Sequence, residues 1–161
     1  MAIMSLRERL PLDEPAIRDG LQHAQLKGRF QFVDGDIPVL LDVGHNPQAV
    51  ETLSSHLQSD FPNVKIHALF AMMKDKDIAS VIGLMRERIA EWYLVPLNNP
   101  RAASPLQLSE FFQRQDISHV HLGYQDFESA FEDVRRKALP GDMILIFGSF
   151  FLVSEYCSQF A

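Results

Sequence analysis

The stretch Ile37-Pro38-Val39-Leu40-Leu41-Asp42-Val43, followed by Gly44-His45-Asn46-Pro47, decides the fold. A run this apolar, bounded by turn residues, suits a strand buried on both faces, which is the habit of parallel sheets. Gly44 breaks the run. Asn46 can cap a helix, and Pro47 can occupy its first position. Ala49, Val50, Leu53 and Leu57 then give that helix one apolar stripe. The unit is a strand followed closely by a helix.

Upstream, Asp34-Gly35-Asp36 is turn chemistry and Phe30 to Val33 is a short β run, which predicts an antiparallel strand there. Before it, Asp13 can cap a helix that tolerates Pro15 in its opening turn. Ile17, Leu21 and Ala24 form its apolar face, and Lys27-Gly28 ends it. Met1 to Leu12 is expected to be a tail or linker, and residues 13–161 one domain.

Downstream the strand-then-helix pattern recurs. Val64 to Ala71 is a strand with the exit loop Met72 to Lys76, and Asp77 caps a helix carrying Ile78, Val81, Ile82, Met85 and Ile89. Trp92 to Val95 is a strand, and Pro96 to Ala103 a loop. Ser104-Pro105-Leu106-Gln107 forms a capping box for a helix with Leu108, Phe111 and Phe112 inward. Val120 to Leu122 is a short strand, and Phe127, Ala130, Phe131, Val134 and Ala138 mark the next helix. Pro140-Gly141-Asp142 turns into the apolar strand Met143 to Phe147, and Gly148-Ser149-Phe150 opens a last helix. Five such steps predict an α/β fold: a single doubly wound, mostly parallel sheet with helices on both faces.

The chain has 161 residues, 47% hydrophobic and 22% charged, with a formal net charge of −6. This is ample for one core and excludes disordered, collagen-like and disulfide-scaffold classes. The balance is acidic, so no nucleic-acid partner is expected. No apolar run is long enough to span a bilayer, so no membrane partner is expected. Cys157 is the sole cysteine, and no secretory signal is visible, so the expected location is cytoplasmic. G-x-G-x-x-G, the P-loop, H-E-x-x-H, C-x-x-C and G-x-S-x-G patterns are all absent.

In open α/β sheets ligands bind beyond the carboxyl ends of the strands. The informative residues are therefore Asp42 to Pro47, Met72 to Asp77, Asn98 to Arg101 and Gly148 to Phe150. His119 and His121 share a strand face, but without a third ligand nearby they suit a polar sheet edge, and no metal site is expected. His23, His56 and His67 are expected at the surface.

Several of these pieces resemble one family in order. They are Gly28-Arg29-Phe30-Gln31, Leu41 to Pro47, Met73 to Asp77, Trp92-Tyr93, Pro100-Arg101-Ala102 and Phe147-Gly148-Ser149-Phe150. The chain resembles, from about Leu12 to its end, the C-terminal domain of folylpolyglutamate synthase and bifunctional dihydrofolate synthase, within the Mur ligase superfamily. Gly44 departs from that pattern, where the family usually has alanine.

The resemblance implies a Rossmann-like Mur ligase C-terminal domain of an ATP-dependent ligase. Such an enzyme adds L-glutamate to dihydropteroate or folates through an acyl phosphate. It implies ATP and Mg²⁺ as cofactors, with Mg²⁺ held mainly by an N-terminal ATPase domain that this chain lacks. That domain would be a partner, and the isolated chain would be inactive. It also implies a mobile hinge from Leu26 to Phe30.

For ATP the resemblance points to Arg29 and Asp42; for glutamate, to His45, Ser149 and Lys76; for catalysis, to His45. Each has an alternative reading from the residues alone. Arg29 suits a surface position, and Asp42 and Ser149 suit caps. His45 could simply bond loop backbone. Lys76 and Arg101 suit solvated loops. Two other functions fit the fold: a stand-alone, non-catalytic α/β binding module, and a domain of a peptidoglycan-precursor Mur ligase.

Overall fold

The computed structural model describes residues 13–23 and 26–160. The predicted tail lies outside the described residues, as do Ala24 and the side chains of Leu21 and His23. Among the described residues the order is α1 (Glu14–His23), β1 (Gln31–Val33), β2 (Val39–Asp42), α2 (Pro47–Asp60), β3 (Ile66–Phe70) and α3 (Ile78–Met85). It continues with β4 (Glu91–Leu94), α4 (Pro105–Arg114), β5 (Val120–His121), α5 (Phe127–Lys137), β6 (Met143–Phe147) and α6 (Phe150–Phe160).

The strands form one sheet in the order β1-β2-β6-β3-β4-β5. β1 pairs antiparallel with β2, and every other pair is parallel. The caps behave as the sequence predicts. Asn46 accepts from the Ala49 N–H, Asp77 from the Ser80 N–H, and Ser104 with Gln107 completes a capping box.

Alternate strand residues serve two separate cores. Leu40, Ala68, Phe70, Trp92, Leu94, Leu145 and Phe147 pack under α2, α3 and α4. Val39, Leu41, Leu69, Tyr93, Ile144 and Ile146 pack under α5 and α6. The division follows from topology. From β2 to β3, β4 and β5 the chain moves one way across the sheet, so right-handed crossovers place three helices on one face. From β5 it returns to β6, so α5 falls on the other. The doubly wound α/β sheet expected from the sequence is the fold observed.

Three local expectations are corrected. Lys27-Gly28 does not end a helix; it lies in a turn closed by the Arg29 N–H on the Leu26 carbonyl at 3.0 Å. Ile89 is buried but lies beyond α3, which stops at Met85. His67 is buried rather than superficial, because it occupies β3, which is covered on both faces. Its Nε2 donates to the Asp142 carboxylate at 2.9 Å.

That carboxylate also accepts from the Leu139 N–H at 3.0 Å. Partial burial pushes the Asp142 pKa up, but the Leu139 N–H, His67 and Lys65 outweigh it and hold the group below its ordinary value. A carboxylate lowered on folding stabilises above its unfolded pKa of about 3.9, and that contribution is lost as pH falls through the folded value. Asp142→Asn should therefore lower the urea midpoint at pH 7. The gap to the parent should close as the pH drops below about 4.

Candidate functional site

The register brings three strand exits together. Phe147 of β6 pairs with Asp42 of β2 on one side and with Phe70 of β3 on the other. The loops carrying Asp42 to Asn46, Ala71 to Asp77 and Gly148 to Ser149 are therefore neighbours. β2 and β6 are adjacent, yet α2 and α6 leave them toward opposite faces. In open α/β sheets such a point marks the crevice at the carboxyl edge where ligands usually bind.

His45 stands on the β2 side of the crevice. Its Nδ1 lies 2.9 Å from the Val43 carbonyl oxygen, which can only accept, so Nδ1 carries the proton. With the proton on Nδ1, Nε2 is the ring's acceptor whenever the ring is uncharged. The Phe150 ring, from the first position of α6, packs against the imidazole with centroids 5.7 Å apart. Phe150 and Phe151 are both more than half exposed at this edge. Ser149 is buried and caps α6, its Oγ accepting from the Phe151 N–H at 3.1 Å. Capping uses a lone pair and leaves the hydroxyl proton to donate.

Arg29 and Asp42 line a hollow of about 310 Å³ between the turn before β1 and α2, shared with Phe30, Ala49, Thr52, Leu53 and His56. Asp42 is only 9% exposed. One oxygen accepts from the Phe30 N–H at 3.0 Å and the other from the Gly44 N–H at 2.6 Å. The Arg29 side is fixed by a further rung, the Val43 N–H on the Gly28 carbonyl at 2.7 Å. Phe30 has φ +43°, a left-handed conformation that costs a non-glycine residue about 1–2 kcal/mol. Its ring meets His56 edge-on at 4.9 Å.

The hollow thus holds both residues expected for ATP, but His45, Ser149 and Lys76 do not line it. Those three sit on the adjoining exits. Lys76 lies 3.5 Å from Asp75, which Arg101 also contacts at 3.0 Å. Arg101 holds the Asp75 carboxyl below its ordinary value. Backbone bonds from Lys74 to Arg101 and from Ala103 to Met72 stitch this exit to the loop before α4.

Phe30, Thr52, His56 and Phe150 carry no sequence signal that singles each out as a site residue. The α2 face does have one: Ala49, Thr52, Leu53 and His56 fall at i, i+3, i+4 and i+7. At the far sheet edge His121 donates to Glu91 at 2.8 Å, and His119 lies 4.0 Å from the same carboxylate. Among the described residues, no group of three or more His, Cys, Asp or Glu side chains is placed to hold a metal ion.

Fold and strand order together define a doubly wound α/β domain whose switch point lies between β2 and β6. The sequence pattern of the family described as "Mur ligase, glutamate ligase domain" matches residues 28–150. The chain belongs to that family.

It is 35% identical over 150 residues to the dihydrofolate synthase/folylpolyglutamate synthase of Escherichia coli (strain K12), a match covering 91% of this chain and 33% of the relative. It superposes on E. coli FolC in complex with DHPP and ADP with a TM-score of 0.86 at 33% identity, covering 98% of this chain and 37% of that one. It also superposes on a bifunctional folylpolyglutamate synthase/dihydrofolate synthase with Mn, AMPPNP and L-glutamate bound. There the TM-score is 0.80 at 36% identity, covering 94% and 36%. The chain spans about a third of the length of the relatives it matches.

Gly148 is a tight joint at the β6 exit. Its φ is +99°, and a Cβ there would lie 2.7 Å from both the Ala71 carbonyl oxygen and the Phe70 ring. Gly148→Ala should therefore destabilise the chain by about 2 kcal/mol or more, read as a lower urea midpoint.

Proposed function

We propose that this chain is the C-terminal domain of an ATP-dependent ligase that joins L-glutamate to dihydropteroate or a folate. The observation that supports the reading is that the hollow holding Arg29 and Asp42 lies on the strand exit next to the one carrying His45 and Ser149. The Arg29–Asp42 hollow suits a nucleotide, and the His45–Ser149 crevice suits an amino acid. The relatives support it, since their structures hold ADP in one case and AMPPNP with L-glutamate in another.

In this reading ATP phosphorylates the substrate carboxylate and ADP leaves. The glutamate amine then attacks the acyl carbon, the bond to phosphate breaks, and the amine loses a proton. Arg29 supplies a fork-shaped cation to the nucleotide phosphates. Asp42 faces the ribose hydroxyls as an acceptor. His45, held with Nδ1 protonated, presents Nε2 to take up the amine proton, which makes it the catalytic residue. The Ser149 hydroxyl and the start of α6 receive a glutamate carboxylate, with Lys76 as a further cation on the β3 exit.

Residues 13–161 would form the domain and residues 1–12 its linker. Phosphate activation and Mg²⁺ would come from an ATPase domain of the same parent, with which this chain closes a dry cleft. Among the described residues no helix is long and apolar enough to cross a membrane. A cytoplasmic site of action fits a reaction that consumes ATP.

The two surfaces should be separable. NMR titration of this chain should show Arg29→Ala weakening ADP binding about tenfold while leaving L-glutamate unaffected. His45→Ala should do the reverse. If either variant weakens both ligands alike, the division is wrong. The chain alone, given ATP, Mg²⁺, L-glutamate and dihydropteroate, should release no ADP; steady folate-dependent release would show that it is a complete enzyme.

A further inference from the structure

Phe30 is a strained residue in an exposed turn, and the bonds around it show what holds it. Gly28, also at positive φ, is buried against Val43 and Val153 and anchors one side. The Gly28 N–H donates to the Gln31 side chain at 2.7 Å. The last regular β1–β2 pair is Gln31 with Leu41. Beyond it, two links join the turn to the β2 exit. One is the Val43–Gly28 backbone bond. The other is the Asp42 carboxylate, which takes the Phe30 N–H on one oxygen and the Gly44 N–H on the other.

Gly44 leaves the carboxylate in its present place, since a Cβ there would stand 2.7 Å from Asp42 Oδ1 and shift it. Among the described residues Arg29 makes no ion pair and no side-chain hydrogen bond. Where its side chain starts is therefore set by the backbone of the turn.

We propose that Asp42 is a positioning residue: its carboxylate clasps the Phe30 and Gly44 N–H groups, holds Phe30 in its left-handed turn, and thereby sets Arg29 at the mouth of the hollow. A carboxylate offers about four lone-pair directions, of which two are used. Asp42 also lines the hollow, so a hydroxyl-bearing ligand such as a nucleoside diphosphate would bind the same group that fixes the turn. This coupling rests on the nucleotide reading above; the clasp does not.

The test is amide hydrogen exchange on this chain, followed residue by residue. Asp42→Asn keeps the shape but turns one acceptor into a donor. It should speed exchange at Phe30 and Gly44 about tenfold or more, with the β6 amides unchanged. Gly44→Ala leaves Asp42 intact but displaces Oδ1, and should speed Phe30 exchange to a smaller extent.

Unchanged exchange at Phe30 in both variants overturns the clasp. So does acceleration shared equally with β6, which would mark Asp42 as a general stabiliser. ADP titration separates the two readings. With the clasp acting on Arg29, Arg29→Ala should cost about tenfold in ADP affinity when Asp42 is intact, and less than about twofold in the D42N background. Additive costs overturn the coupling. Failure of ADP to bind the unsubstituted chain overturns the nucleotide reading and the coupling together, while exchange still decides the clasp.

Discussion

The structure depends on β6 lying between β2 and β3. Met143 to Phe147 are all buried, and the strand hydrogen-bonds on both sides. Without it β2 and β3 would not touch, because nothing else in the sheet joins them. Burial of apolar surface on both faces of this strand favours the fold. The same insertion places the β2 and β6 exits side by side with their helices diverging. The crevice is thus a by-product of how the sheet closes.

The insertion also explains why the candidate residues are far apart in sequence. Arg29, Asp42 and His45 come from the beginning of the domain and Ser149 from its end. Three of them are held by backbone rather than by another charged side chain. His45 is oriented by the Val43 carbonyl, Ser149 by the Phe151 N–H, and Asp42 by two backbone N–H groups. Backbone anchors of this kind fix direction and leave charge free for a ligand.

Much of the fold is legible in the sequence. The wholly apolar runs at Val39 to Leu41 and Met143 to Phe147 announce doubly covered strands, and Asn46-Pro47 and Ser104 to Gln107 announce helix starts. These are local signals with local causes. The strand order is not legible, because nothing local says that the sixth strand enters beside the first parallel one. His67 is misplaced by sequence reasoning because a lone histidine in an apolar run carries no mark of its partner, and Asp142 lies far along the chain. The hollow is hidden for a similar reason. Phe30 and His56 meet only after α2 folds back beside the β1–β2 hairpin. The positive φ of Phe30 has no sequence signature in a residue type that seldom adopts it.

Trp92, the sole tryptophan, is fully buried among Phe70, Phe112 and Phe147. It belongs to only one of the two cores, the one roofed by α2, α3 and α4. Its ultraviolet emission is therefore a built-in gauge of that layer alone. A ligand that tightened the opposite layer would leave the indole spectrum silent, so optical and calorimetric melting curves need not coincide in this molecule.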